Sequence, residues 1–336
     1  MYLRSLVRVA VAFVIAFAFV GIAAAQRDDY RLSQAYTHKN LTIFLIHGKD
    51  QNTKGNIITL QEAMERKLFV VYETSTVNEL QVENLSKELD VFIQSGDIVK
   101  GGKQDRILAV SIIIPARSGR VSIQSFCVES GRWTKRGEED SNKFTSSNDR
   151  IVTKDLKIAA NGQRSQSEVW SQVSEAQARL SKNVGGTVAS GKSASSLQLS
   201  LENSKVIATV DEYVRDLSGI INGQSDVIGF AFAINGKINS ADVYVSNTLF
   251  KKLWLKMLKA SATEAVSEAN QVRLADPVKQ ESVKSFMADA DKAAATDQTL
   301  SAGATLRTRE NKENVMYEAR DEKTKIVVHK SYVKKH

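Results

Sequence analysis

The first half of this chain is a succession of short segments rich in valine, isoleucine and phenylalanine, whereas the second half is dominated by helical patterns. Alternating or continuous apolar runs of this length are typical of β-strands, and we predict strands at 41–46, 68–73, 80–83, 89–94, 107–114 and 120–128. Because strands and helices are segregated rather than alternating, the sequence predicts an α+β fold. We expect an antiparallel, β-rich N-terminal half packed with helices from the C-terminal half.

Several local patterns predict where helices and turns begin. Capping boxes at 59–62 and 165–168 open a short helix over 60–66 and a longer one after Ser165. Asn235 and Gly236 form a strong hairpin signal between strands at 227–234 and 237–245. Apolar stripes at helical spacing mark helices at 206–217 and 249–260, and the last strands are expected near 305–309 or 315–319 and at 325–332. The polar residues 134–164 resemble a long loop.

Residues 1–25 have the pattern of an export signal. Two arginines precede an apolar run, and three alanines before Gln26 form a small-residue cleavage site. The apolar run is short for a membrane-spanning helix, although a retained anchor is the alternative. We therefore expect an exported protein, periplasmic or secreted, cleaved near Ala25 and Gln26 and without a stable membrane anchor. Residues 26–38 would form a lead-in, and 39–336 a single domain with flexible segments near 134–164 and 183–200.

The charge and cysteine content exclude some function classes. The formal charge of +8 falls to +6 when residues 1–25, with two arginines and no acids, are removed. Lysines are scattered among acids, which disfavours sequence-specific nucleic-acid binding. Cys127 is the only cysteine, so the chain has no internal disulfide. The four histidines show no metal-ligand spacing, so no histidine-rich metal site is expected and no metal ligand is assigned, although scattered carboxylates could bind a hard cation.

Two motifs suggest activities that their context does not support. Residues 186–193 match the spacing of a phosphate-binding loop, but a helix rather than a strand precedes them, and the composition favours a flexible linker. The lysine-rich helix at 249–260 could lie on an anionic membrane, yet a helix that covers a sheet has the same apolar stripe. We favour the structural interpretation for both.

The segment 101–133 concentrates residues that strands alone do not need. Gly101 and Gly102 could form an anion-binding turn, with Lys103 and Arg106 adding positive charge. Cys127 and Glu129 are two residues apart on a predicted strand and should project to one face. The alternative is a tight turn with a small buried cysteine and an ion pair that fixes the strand ends.

The same segment resembles a known domain family. Residues 82–115, the stretch SFCVESGRW at 125–133, VWSQV at 169–173 and the region 233–266 are similar to the ADP-ribosylglycohydrolase and rhodanese/phosphatase-associated protein domain family. The resemblance covers residues from about 40 to 270. Asp105 stands where the family usually has asparagine, and Ser130 where it usually has glutamine.

The resemblance implies a connection to NAD or ADP-ribose metabolism and a set of hallmark residues. As ligand-binding residues it points to Glu83, Gly101, Gly102, Lys103, Gln104, Arg106, Arg132 and Trp133, with Trp170 as an outer candidate. Glu129, as a general acid or base, and Cys127, as a nucleophile, are the catalytic candidates.

Three functions follow as hypotheses. The first is an exported domain that binds a small anionic ligand, nucleotide-like or ADP-ribose-like. The second is a hydrolase acting on such a ligand in the same pocket, and the third is a non-catalytic envelope interaction module. The first two place Lys103, Arg106, Glu129 and Trp133 along one open cleft, an arrangement that a structure would test.

Overall fold

The computed structural model describes residues 30–51, 56–150, 153–269 and 276–335. The predicted export signal and its cleavage site lie outside the described residues. Within these ranges, no helix combines the length and apolar character needed to cross a bilayer.

The described residues form eighteen strands and seven α-helices. The strands are β1 (Arg31–Leu32), β2 (Tyr36–His38), β3 (Leu41–His47), β4 (Ile57–Thr59), β5 (Phe69–Thr76), β6 (Glu79–Asn84), β7 (Asp90–Ile93), β8 (Asp97–Gly101), β9 (Arg106–Leu108), β10 (Ile112–Ile114), β11 (Arg120–Cys127), β12 (Phe144–Arg150), β13 (Val227–Ile234), β14 (Lys237–Tyr244), β15 (Ala294–Thr299), β16 (Ala304–Glu310), β17 (Asn314–Asp321) and β18 (Val327–Lys334). The α-helices are α1 (Leu60–Glu65), α2 (Lys154–Ile158), α3 (Gln166–Asn183), α4 (Leu197–Leu201), α5 (Ser204–Leu217), α6 (Asn247–Ser267) and α7 (Gln280–Asp291).

Three sheets organise these strands. One has six strands in the order β12-β8-β9-β11-β6-β5, and a small one has the order β10-β7-β4. The nine-stranded sheet has the order β1-β3-β13-β14-β18-β17-β16-β15, with β2 on β3. All pairings are antiparallel except that of β4 with β7. The predicted α+β class is confirmed, and the largest sheet joins strands from both ends of the chain.

The local signals for helices and turns correspond to observed elements. Thr59 and Ser165 accept hydrogen bonds from the backbone N–H groups of residues three positions later, and thereby cap α1 and α3. The Asn235–Gly236 turn has φ values of 51° and 74° and joins β13 to β14. Both alternatives for the first C-terminal strand exist, as β16 and β17.

Helix α6 is the central helix of the molecule. Its apolar stripe is buried, and α6 packs against β13 of the large sheet on one side and against β12 and β4 on the other. The Trp254 indole N–H also donates to the carbonyl oxygen of Ser218, at 2.8 Å. The stripe of this helix is therefore part of the protein core.

Two sequence expectations need correction in detail. The strand predicted over 107–114 is two strands, β9 and β10, because the chain leaves the ladder after Ala109, whose N–H still donates to Gln124 of β11, and the Ser111 hydroxyl accepts from the Ser95 N–H at 3.0 Å. The region 134–164 is not one long loop, since it contains β12 and α2. In the segment 183–200, helix α4 begins at Leu197, directly after Ser196.

Candidate functional site

The glycine turn connects β8 to β9 and brings the hallmark residues to the end of the six-stranded sheet. Strand β9 pairs with β11 so that Arg106 lies opposite Cys127. The Asp105 N–H donates to Glu129 Oε2 at 2.9 Å, which joins the turn to the residues that follow β11. The structure therefore brings the two hallmark segments together.

The backbone N–H groups of the turn already have acceptors within the protein. Gly101 donates to the Asp105 carboxylate at 3.0 Å, and Gly102 donates to the carbonyl oxygen of Asp140 at 3.1 Å. The Lys103 N–H donates to Glu73 Oε2 at 3.2 Å. In this structure the turn binds the protein's own carboxylates, so the predicted anion-binding role of these N–H groups competes with internal hydrogen bonds.

Asp105 is the centre of a buried ionic network. Its carboxylate accepts two hydrogen bonds from Arg136, at 2.8 and 2.9 Å, and one from the Ser196 hydroxyl at 2.7 Å. Together with the bond from Gly101, four donors meet one fully buried carboxylate. Removal of one partner from a buried, hydrogen-bonded pair of this kind is strongly destabilising, because it leaves the other charge uncompensated.

Glu129 is the second carboxylate of this network. Arg132 donates to both of its oxygens at 2.7 Å, and the Asp105 N–H supplies a third hydrogen bond. Burial opposes ionisation of Glu129, but the bonds from Arg132, Ser193 and Asp105 outweigh burial and lower its pKa. Glu129 is therefore a charged partner of Arg132 at neutral pH.

Cys127 lies beside this network, at the end of β11. Its side chain is fully buried, and its Sγ lies 4.0 Å from the carbonyl oxygen of Val77. Burial raises the pKa of the thiol to about 11, even though the charge of Arg106 acts in the opposite direction. The thiol is consequently protonated at neutral pH in this structure, whereas a nucleophilic cysteine reacts as the thiolate.

Arg106, Lys103 and Trp133 form a layered cluster at the surface. Arg106 is fully buried; it contacts Glu73 at 3.4 Å and donates to the carbonyl oxygen of Val77. The indole of Trp133 is 42% exposed, with Lys103 Nζ 5.2 Å and Arg106 Cζ 5.7 Å from its ring centre. Of the four residues expected to line one open cleft, Lys103 and Trp133 reach solvent, whereas Arg106 and Glu129 do not.

Of the remaining hallmark candidates, two lie near the glycine turn or the residues that follow β11, and one lies away from them. Gln104 is buried within the turn. Trp170, on α3, is partly exposed, and its indole N–H donates to the carbonyl oxygen of Glu129 at 3.2 Å. Glu83 accepts from the Tyr72 hydroxyl at 2.8 Å and lies opposite Arg120 in the ladder, near the far end of β6. The structure does not bring Glu83 to the glycine turn.

Three partners of the residues in the hallmark segments were not predicted from the sequence. Arg136 and Ser196 bind Asp105, and Glu73 binds Arg106 and the Lys103 N–H. Arg136 lies in the predicted loop 134–164, Ser196 in the segment 183–200 that was expected to be flexible, and Glu73 in strand β5. Ser196 also caps α4 by accepting from the Leu199 N–H. The sequence gives no capping-box signal for this cap, because the third residue after Ser196 is a leucine rather than a glutamate or glutamine.

An open groove of about 1300 Å³ adjoins the network, and Trp133 is not among the residues that line it. The loops 130–140 and 192–195 form its walls, and hydrogen bonds between Ser195 and the backbone of Ser130 tie the two loops together. Lys100 pairs with Glu202 in the groove at 2.7 Å. Charged residues of both signs line it, namely Lys100, Arg132, Lys135, Arg136, Lys192, Glu138, Glu139, Asp140 and Glu202.

Gly102 provides a test of how tightly the turn is packed. Its φ is +54°, and a Cβ atom there would lie 2.4 Å from the Phe144 ring. We expect Gly102→Ala to lower the free energy of unfolding by about 2 kcal/mol, from backbone strain and overpacking. Urea unfolding would measure this loss. Gly131→Ala is the matched control, because Gly131 also has positive φ but open space around it. Equal losses in both variants would contradict a packing role for Gly102.

The described part of the chain holds no group of three histidine, cysteine, aspartate or glutamate side chains arranged to bind a metal ion. A protein-family model described as ARPP-1, the ARG and Rhodanese-Phosphatase-superfamily-associated Protein domain, matches residues 29–333. No curated protein and no solved structure matches the chain. Because the match extends over nearly the whole sequence, as the hallmark residues predicted, the chain belongs to the ARPP-1 domain family.

Proposed function

We propose that this domain is a non-catalytic binding module for a small ligand that combines a flat ring with an anionic group, as nucleotides and ADP-ribose do. The observation that supports this function is the pairing of an exposed indole, Trp133, with the ammonium group of Lys103 at 5.2 Å. The export signal proposed for residues 1–25 would place this surface outside the cytoplasm.

The Trp133 surface has the two elements that such a ligand needs. An exposed indole can stack on a base, an interaction that contributes about 1–3 kcal/mol in nucleic-acid-binding proteins. Lys103 Nζ donates to the Ser75 hydroxyl at 2.8 Å and forms no ion pair with any described residue. Its charge is therefore free to attract an anionic group next to the indole.

The buried network supports binding rather than catalysis. Arg132 neutralises Glu129, whose lowered pKa makes it a poor general acid at neutral pH. The raised pKa of Cys127 keeps it in the thiol form. Both residues stabilise the strand ends that support Trp133, and this role fits a binding module better than the alternative hydrolase.

A second candidate, an interaction module for another protein, is favoured by the groove. Because the groove carries both positive and negative side chains, it suits a polar protein segment that also carries both charges better than it suits a small polyanion. A ligand at Trp133 and a protein segment in the groove are separable, because Lys192 and Lys135 line the groove and Trp133 does not.

Titration with ADP-ribose, AMP and inorganic phosphate would test the first proposal. We expect ADP-ribose and AMP to quench tryptophan fluorescence and to raise Tm, since a ligand that binds only the folded state stabilises it. Trp133→Ala should weaken binding by about 1–3 kcal/mol. Lys103→Ala should lower the affinity for AMP.

Trp170→Phe is the matched control, because it removes another partly exposed indole and leaves the Trp133 surface intact. This variant should retain binding of ADP-ribose and AMP. If none of the three compounds shifts Tm or fluorescence of the wild-type protein, the binding proposal is wrong. Turnover of ADP-ribose that is lost in Glu129→Gln would instead support the hydrolase.

A further inference from the structure

A second polar site lies in the interior, where β12, α2 and β18 meet. It is a cavity of about 20 Å³ that shares no lining residue with the Trp133 surface or the groove. Two cations, Arg150 and Lys157, line it together with the polar side chains of Asn161, His329 and Ser331. Among the described residues, no carboxylate lines this cavity.

Arg150 is a buried cation without a counterion in the described structure. Its exposed fraction is 3%, and its Nη2 donates to the carbonyl oxygen of Ser95 at 2.8 Å. Its Nε–H has no hydrogen-bond partner among the described residues. A buried guanidinium is costly unless it is paired and hydrogen-bonded, so Arg150 requires a partner that the described residues do not supply.

Lys157 is the second buried cation, with an exposed fraction of 5%. Its nearest carboxylate oxygen is Asp242 Oδ2, at 3.8 Å, which is beyond hydrogen-bond distance. Asp242 receives its hydrogen bond from His329 Nε2 instead, at 3.1 Å. Lys157 therefore has electrostatic compensation from Asp242 but no hydrogen bond to it.

Among the described residues, no second carboxylate lies within 4.0 Å of either cation. His329 Nδ1 contacts the Ser111 hydroxyl at 2.9 Å, and that hydroxyl accepts from the Ser95 N–H. Burial lowers the pKa of His329, which favours the neutral imidazole, with Nδ1 able to accept from Ser111 while Nε2 donates to Asp242. Asp97 pairs with Lys256 at 2.8 Å, and Glu264 accepts from Lys154 and Asn239 without lining the cavity.

We propose that this cavity binds one monatomic anion of the chloride class, held by Arg150 and Lys157. Arg150 and Lys157 share the carboxylate of Asp242, and Glu264, whose pKa is raised to about 7, acts on Lys157 only from outside the cavity. An anion in the cavity would neutralise the remaining positive charge. The volume of about 20 Å³ admits one particle of about the size of water and excludes polyatomic ions such as phosphate or sulfate. Asn161 and Ser331 offer further polar groups to the anion. This site is independent of the function proposed for Trp133.

Thermal unfolding in different sodium salts tests the proposal. Melts of the full protein in sodium chloride, bromide and gluconate at equal ionic strength separate specific binding from screening. We expect chloride and bromide to raise Tm by about 2–4 °C relative to gluconate, with saturation as the halide concentration increases. Crystals grown in bromide should show an anomalous peak between Arg150 and Lys157.

Variants then link the effect to the cavity. Lys157→Met keeps a long side chain without the charge and should abolish the halide dependence of Tm. Because that variant could fail to fold, Ser331→Ala provides a second test and should reduce the bromide occupancy. Lys182→Met, which changes a lysine of α3 outside the cavity, is the matched control and should retain the effect. Water density in the bromide crystals, or identical melts in all three salts, would overturn the proposal.

Discussion

Replacement of Asp105 by alanine is expected to lower the free energy of unfolding by about 3–5 kcal/mol, the usual cost of removing one partner from a buried ion pair. The variant would leave Arg136 without its two short hydrogen bonds to a carboxylate, and Ser196 and the Gly101 N–H without their acceptor. Urea unfolding followed by circular dichroism would measure the loss.

Two further variants define the cause of that loss. Asp105→Asn keeps an acceptor oxygen but removes the charge, so its loss should be smaller than that of Asp105→Ala. Glu138→Ala removes a carboxylate that is fully exposed and should have little effect. If Asp105→Ala had the same urea midpoint as Glu138→Ala, the network would not be stabilising the fold.

The stability of the protein should also fall by about 3 kcal/mol, through Glu264 alone, as pH rises from 4.5 to 7. Burial raises the pKa of Glu264 to about 7. The charge of Lys157 and the hydrogen bonds from Asn239 and Lys154 lower this pKa, but they offset the effect of burial only in part. Between pH 4.5 and 7 the folded state binds this proton while the unfolded state releases it. Stability from this group is therefore greatest below pH 4.5 and is lost as pH rises through 7.

The difference between the wild-type protein and Glu264→Gln isolates this effect from other titrating groups. Glutamine keeps an acceptor for Asn239 and Lys154, and it does not ionise. As pH rises from 4.5 to 7, the free energy of unfolding of the variant should therefore increase relative to that of the wild type by about 1.4 kcal/mol per pH unit. Urea unfolding at several pH values from 4.5 to 8 checks this, with Glu138→Gln as an exposed control. Parallel curves for Glu264→Gln and the wild type would refute the prediction.

The elements of this fold were predictable where their signals are local. The caps at Thr59 and Ser165, the turn at Asn235 and Gly236, and the apolar stripe of α6 all specify structure within a few residues. Such patterns reflect hydrogen bonds and burial that the chain forms with its own neighbours.

The candidate site was predictable only in part, because its partners are distant in the chain. The pairing of β9 with β11 joins the two hallmark segments, as expected. Asp105, however, binds Arg136 and Ser196, which are 31 and 91 residues away, and no local pattern encodes such contacts. Ser111, at the strand break, likewise contacts Ser95 and His329, which are 16 and 218 residues away.

Because Cys127 is the only thiol in the chain and is fully buried, the protein contains its own reporter of local opening. A thiol reagent can modify Cys127 only when the end of β11 separates from Val77 and its neighbours and exposes the thiol to solvent. The rate of labelling therefore reports how often this part of the molecule opens by local unfolding. A compound that holds the surface closed would slow the modification without any engineered probe.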